Sequence, residues 1–160
     1  MLDKLFDTLA DMGIWIRFHD KRTEPPTEEG RAWGPAVDGF ALSLAPLHEE
    51  SVSVLIKNNT DREERMLIPG WLRYLRTNIT GPGNSPVALK PYGRQVLDSA
   101  QASKSVELVF PAGKHLFTEI PIGALFNLQG GGPYRVKVEC AVPGHPSATL
   151  ISNEVTLGSK

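Results

Sequence analysis

The side chains able to do chemistry in this 160-residue chain are few and scattered. His19, His48, His115 and His145 have no His or Cys partner at the i+2 to i+4 spacing that delivers two ligands to one metal ion. His48-Glu49-Glu50 offers three donors, but consecutive residues rarely converge on one ion, so the triplet reads as a solvated loop. A zinc hydrolase needs three or four convergent ligands. Only a tertiary meeting of His19, His115 and His145 would supply them, and nothing in the sequence recommends it. No Gly-x-Ser-x-Gly elbow or other local signature ties a serine to a histidine base. The single Cys140 excludes an intrachain disulfide and any multi-cysteine metal site. It shares a strand face with Tyr134, Val136 and Val138, where a thiol is an inert small hydrophobe. Gly130-Gly131-Gly132 would cradle phosphate only ahead of a helix N-terminus, and Pro133 and a strand follow instead. The expectation is no catalytic residues, no metal and no cofactor.

Binding chemistry is better represented. Trp71, Arg73, Tyr74 and Arg76 follow the Pro69-Gly70 break, with Arg62 and Arg65 just before it. Aromatic and Arg side chains dominate binding hot spots and also stack on sugars or single-stranded nucleic acid. The competing reading is packing, because Trp71 and Leu75 share one strand parity while Leu72 and Tyr74 share the other. The four residues are the candidate binding site, and core or edge packing is the alternative.

The elements that would position these groups are mostly strands. Phe40, Leu42 and Leu44 alternate with small residues, as do Val52, Val54 and Ile56, before Asn58-Asn59-Thr60-Asp61 turns the chain. Leu67-Ile68 leads into the Pro69-Gly70 break, and Leu75, Thr77 and Ile79 alternate into the turn Gly81–Pro86. Further strands are predicted at Val87–Leu89, Gln95–Leu97, Val106–Phe110, Leu116–Ile122, Tyr134–Val142 and Thr149–Leu157. Short strands between Gly, Pro and Asn clusters predict an antiparallel sandwich, and only Ile122 to Leu128 could hold a helical turn. The expected core comprises Phe40, Leu42, Leu44, Val52, Val54, Ile56, Leu75, Ile79, Leu108, Phe110, Leu116, Leu128, Tyr134, Val136, Val138, Ile151 and Val155. At the other end, Leu2, Leu5, Phe6, Leu9 and Met12 fall at helical spacing before Gly13. His19 to Gly34, with Pro25-Pro26, reads as a linker or extended arm.

Leu128, Gly132 and Tyr134 give these strands a more specific signature. A Gly-x-Tyr at the start of an alternating strand is the layout of a tyrosine corner, whose phenol packs inward and bonds to nearby backbone. The order Val52–Thr60, Phe110-Pro111-Ala112-Gly113-Lys114, Gly132–Val138 and Ser152–Leu157 resembles small bacterial immunoglobulin-like modules. The layout is similar to that of the intracellular proteinase inhibitors of bacilli and of sandwich domains attached to secreted metallopeptidases. The resemblance spans about residues 37–157 and implies an all-β, immunoglobulin-like antiparallel β-sandwich with a short N-terminal helix and extended arm. Its motifs are turns and core, so it carries over no binding residue.

Composition narrows the function classes. With 41% hydrophobic and 22% charged residues, the chain is that of a globular protein rather than a disordered one. A net charge of −1 gives no whole-surface field for nucleic acid or anionic membrane. No apolar run reaches the ~20 residues that span a bilayer, and the first residues lack the h-region of a signal peptide. That absence makes the cytoplasm the default compartment, although removal of a leader would hide export. The division expected is residues 1–36 as helix and arm and 37–160 as the sandwich. The function expected is a non-enzymatic binding or accessory module recognising a protein or glycan through loops or an edge strand. One alternative is a proteinase inhibitor using Gly81–Pro86 or Pro143–Pro146. The other is an enzyme whose site assembles from distant loops. The helix on its arm is also a device for exchange between copies of the chain.

Overall fold

The computed structural model describes residues 28–48, 50–97, 105–129 and 132–158. The sequence-predicted helix at residues 2–12 and most of the arm lie outside them. Val37 and Phe40 exchange both backbone hydrogen bonds, at 2.9 Å each, around Asp38 and Gly39. Those two residues have φ of 50° and 83°, the left-handed pair that a tight two-residue hairpin demands. This turn launches β1 (Phe40–His48), which pairs antiparallel with β2 (Ser51–Asn58). β2 pairs in turn with β6 (His115–Ile120), completing a sheet of order β1-β2-β6.

A second sheet centres on β7 (Tyr134–Val142), flanked on one side by β4 (Arg76–Thr80). Its other side is covered by β8 (His145–Ile151) and then β9 (Val155–Leu157). A separate two-stranded ribbon joins β3 (Glu64–Ile68) to β5 (Val106–Phe110). Every pairing is antiparallel, so the fold is β-rich and fits a sandwich. Among the described residues three short α-helices occupy the connections: α1 (Trp71–Tyr74), α2 (Pro91–Leu97) and α3 (Ile122–Leu125).

One core unites the sheets. Phe40, Leu42 and Leu44 of β1 and Val52, Val54 and Ile56 of β2 meet Val136, Val138, Cys140 and Leu150 there. Phe40 and Phe110 pack edge to face with centroids 6.1 Å apart, joining β1 to the ribbon. Each such apolar side chain contributes about 1.5–3 kcal/mol on burial, which makes period-2 patterning decisive. Asn58, fully buried, ties the ribbon to the main sheet. Its amide donates to Arg62 O at 2.8 Å and Phe110 O at 3.0 Å and accepts from the Thr60 N–H at 2.9 Å.

Four elements depart from the sequence expectation. Val87–Leu89 forms no strand; Leu89 makes only an isolated bridge to Phe126. Gln95–Leu97 is the end of helix α2, not a strand. Pro91 at its first position and Gly93, where a Cβ would sit 2.2 Å from Leu125 O, let this helix press against α3. Trp71–Tyr74 is a helical turn, launched by Gly70 at φ 119°. The strand predicted over Thr149–Leu157 breaks at Ser152-Asn153-Glu154. Leu150 therefore faces Cys140 in the core, while Ile151 faces Glu139 on the outer surface and is 46% exposed. Ile79, Leu116 and Leu128 are partly buried against the core instead of inside it.

Candidate functional site

Trp71, Arg73, Tyr74 and Arg76 do not share a surface. Trp71 and Tyr74 belong to the core, with ring centroids 6.1 Å apart. The Tyr74 hydroxyl donates to Ala141 O at 2.5 Å. Arg73 donates to Val96 O at 3.2 Å, fastening α1 to α2. Arg76 alone is exposed, and it reaches Glu139 across the β4–β7 pair at 3.3 Å. The helical turn causes this separation: at 3.6 residues per turn Trp71 and Tyr74 fall on one side and face inward together.

The titratable groups are equally dispersed. His48 and His145 stand exposed at strand ends, and His115 bonds Glu28 through Nδ1 at 2.8 Å. His19 lies outside the described residues. Among the described residues no three His, Cys, Asp or Glu side chains are placed to hold one metal ion. Burial pushes the Cys140 thiol up to about 11 and raises the neighbouring Tyr74 phenol further still, so both stay protonated at neutral pH. Tyr134 is buried and its hydroxyl donates to Gln129 O, five residues upstream. Gly132, at φ 87°, and the half-buried Leu128 flank that contact.

The two loops considered for proteinase inhibition are compact. Pro82–Asn84 forms a 3-10 turn closed by Gly81 N–H to Ser85 O at 2.8 Å. Pro143-Gly144 is the tight link between β7 and β8, with Pro143 buried.

What the fold does present is strand edges, and two of them differ sharply. The free edge of β1 is sealed. Phe40 is bonded by Val37, Leu42 O accepts from Gly34 N–H at 2.9 Å, and the Asn153 amide occupies both groups of Leu44. Asn153 accepts from Leu44 N–H at 2.7 Å and donates to Leu44 O at 3.0 Å, standing in for a peptide unit of a neighbouring strand. Above this seam Arg31 lies across the sheet. It donates to Ser43 Oγ at 3.0 Å, Ser53 Oγ at 2.9 Å, Ser53 O at 3.0 Å and Ser43 O at 3.3 Å.

The edge of β3 is different. Among the described residues β3 pairs with β5 alone. Met66 and Ile68 turn toward the core, whereas Arg65 and Leu67 turn outward. Leu67 is 68% exposed, the most open of the large apolar side chains described. Beside it Arg65 bonds Glu63 at 2.9 Å and Glu107 at 3.1 Å, a charged fringe on an otherwise apolar strand.

Leu67 carries no signal of its own in the sequence. Read beside Ile68 it looks like half of a buried pair, and only the alternation Arg65/Leu67 against Met66/Ile68 separates them. Asn153 and Arg31 have no local signature either, since their partners lie 109 and 12 to 22 residues away. No protein-family model matches the chain, and no curated protein matches it.

Among the described residues no helix is long and apolar enough to cross a membrane.

Proposed function

We propose that this chain is a non-enzymatic interaction module that recognises a protein partner by adding an extended segment to the edge of β3. The observation that carries this is Leu67, an apolar side chain left 68% exposed on a strand with one strand neighbour among the described residues. An unpaired strand is a template for main-chain hydrogen bonds, and a side chain beside it supplies selectivity. Proteins ordinarily blunt such edges, and this one blunts β1 with a hairpin and a side-chain amide.

The architecture proposed is an immunoglobulin-like sandwich, with β1-β2-β6 as one layer and β4-β7-β8/β9 as the other. The hydroxyl bond from Tyr134 to Gln129 O supports that assignment, being the local geometry of a tyrosine corner. The likeness to bacterial immunoglobulin-like modules is part of the same proposal. A glycan is the weaker choice of partner, because Trp71 and Tyr74, the aromatics that would stack on sugar, are inside.

The test is panning of a linear-peptide library against the full chain, with Leu67→Asp as counter-selection. Peptides retained by the wild type and lost from Leu67→Asp are expected. Peptides that bind both proteins equally would sink the edge assignment. Retention lost instead from an Arg73→Glu/Arg76→Glu double variant would move the interface to the α1–β4 surface.

A further inference from the structure

We propose that residues 28–37 form a latch on the free edge of β1, pinned at two points that respond differently to acid, so that acidification loosens the Glu28 end while the Arg31 end holds. The latch returns from the Asp38-Gly39 turn along β1 and makes few backbone bonds to it: the Val37–Phe40 pair at the turn itself and, beyond it, Gly34 N–H to Leu42 O at 2.9 Å. Side chains do most of the holding. Arg31 holds by four hydrogen bonds to neutral acceptors, and Ser43 Oγ adds a bond to Ala32 O at 2.6 Å.

Glu28 holds by charge. Its carboxylate takes the Lys57 ammonium from β2 and His115 Nδ1 from β6, the latter at 2.8 Å. Lys57 and His115 face each other across the β2–β6 ladder, so one carboxylate spans two strands. The other charged groups nearby are Arg31 and Glu29 on the latch itself and Glu119, which stands opposite Ser53 further along β6.

The two pins differ in chemistry. A guanidinium stays protonated at any pH the protein meets, and burial lowers Arg31 from its ordinary value without changing that. The Lys57 hydrogen bond, then His115, hold Glu28 below its usual carboxylate value. A carboxylate with a depressed folded-state value contributes stability above its unfolded value and loses it as pH falls through the folded one. Protonating Glu28 removes the anion from both partners.

The latch also has a geometric role. A Cβ at Gly34 would stand 1.8 Å from Ile151 O, so the latch threads the seam between β1 and β8 with no space to spare. Loosening it frees Leu42 O and opens that seam. The acid-sensitive end therefore bears on the β1 edge that the fold otherwise keeps closed.

The experiment is amide hydrogen exchange of the full chain by NMR between pH 7 and pH 3, corrected for intrinsic rates. Gly34 is compared with Val54 at the centre of β2. The expected result is a drop of about twofold to fivefold in Gly34 protection below the usual glutamate range, the scale of a part-exposed ion pair. Val54 should hold constant, and Glu28→Gln should show the lowered Gly34 protection already at pH 7, with no further step. Flat Gly34 protection in the wild type, or the same step in Glu28→Gln, would overturn the latch. So would a step abolished by His115→Gln alone, which would put the pin on the histidine. A parallel fall at Gly34 and Val54 would mean global acid unfolding and would equally refute it.

Discussion

The edges of β1 and β3 pose the same physical problem and receive opposite solutions. Each is a strand with one hydrogen-bonded side and one side that must find other partners. β1 closes its outer side with a returning segment, a guanidinium over two serines and one asparagine amide. β3 leaves its outer side without a strand neighbour among the described residues and places Leu67 beside it. Charged neighbours such as Glu63, Arg65 and Glu107 discourage indiscriminate pairing there without preventing it. The lesson is that edge protection among the described residues is selective, and the β3 edge, with Leu67 exposed beside it, is where recognition is to be sought.

Five substitutions would break or sharpen that contrast. Asn153→Ala should be the most damaging, costing about 2–3 kcal/mol, because it strands the buried N–H and C=O of Leu44 without partners. A urea midpoint within error of wild type would show that water seals the edge as well as the amide does. Asn153→Asp keeps the acceptor and loses the donor, so about half that cost is expected. Gly34→Ala comes next, at about 1–3 kcal/mol from the forced clash with Ile151 O. If it unfolds at the wild-type midpoint, the latch does not lie in the seam.

Tyr134→Phe removes one buried hydroxyl bond, to Gln129 O, and should cost about 1 kcal/mol. It touches neither edge, and so serves as a control for general weakening of the sheets. Leu67→Asp should be the mildest, within about 0.5 kcal/mol of wild type, since an exposed side chain away from the core contributes little to folding. A loss of more than 1 kcal/mol would mean that Leu67 is part of the fold's stability and not a free recognition residue.

How much of this was legible in the sequence depends on the range of the interaction. Strand β7 follows from alternation along its whole length, and β1 and β2 from the shorter alternations Phe40-Leu42-Leu44 and Val52-Val54-Ile56, signals written in nearby positions. Tyr134 is legible for the same reason, because its hydroxyl reaches only five residues upstream. Helix α2 was not, since a short apolar run cannot be told from a strand by period alone, and its packing rests on Gly93 against Leu125. The Trp71–Arg76 group is instructive in another way. Its composition is that of a binding site, but one helical turn sends the aromatics inward and leaves Arg76 outside.

By itself the sequence determined that the chain is β-rich, that its strands pair through apolar alternation and that Cys140 lies on the core face of its strand. It determined these because periodicity and turn chemistry act between near neighbours, where the order of residues is also their order in space. Tertiary structure alone decided how the β1 edge is sealed. That outcome rests on Asn153 meeting Leu44 across 109 positions, on Arg31 meeting Ser53 across 22, and on Glu28 meeting His115 across 87. No local pattern encodes such meetings, because each depends on where the remainder of the chain has already folded.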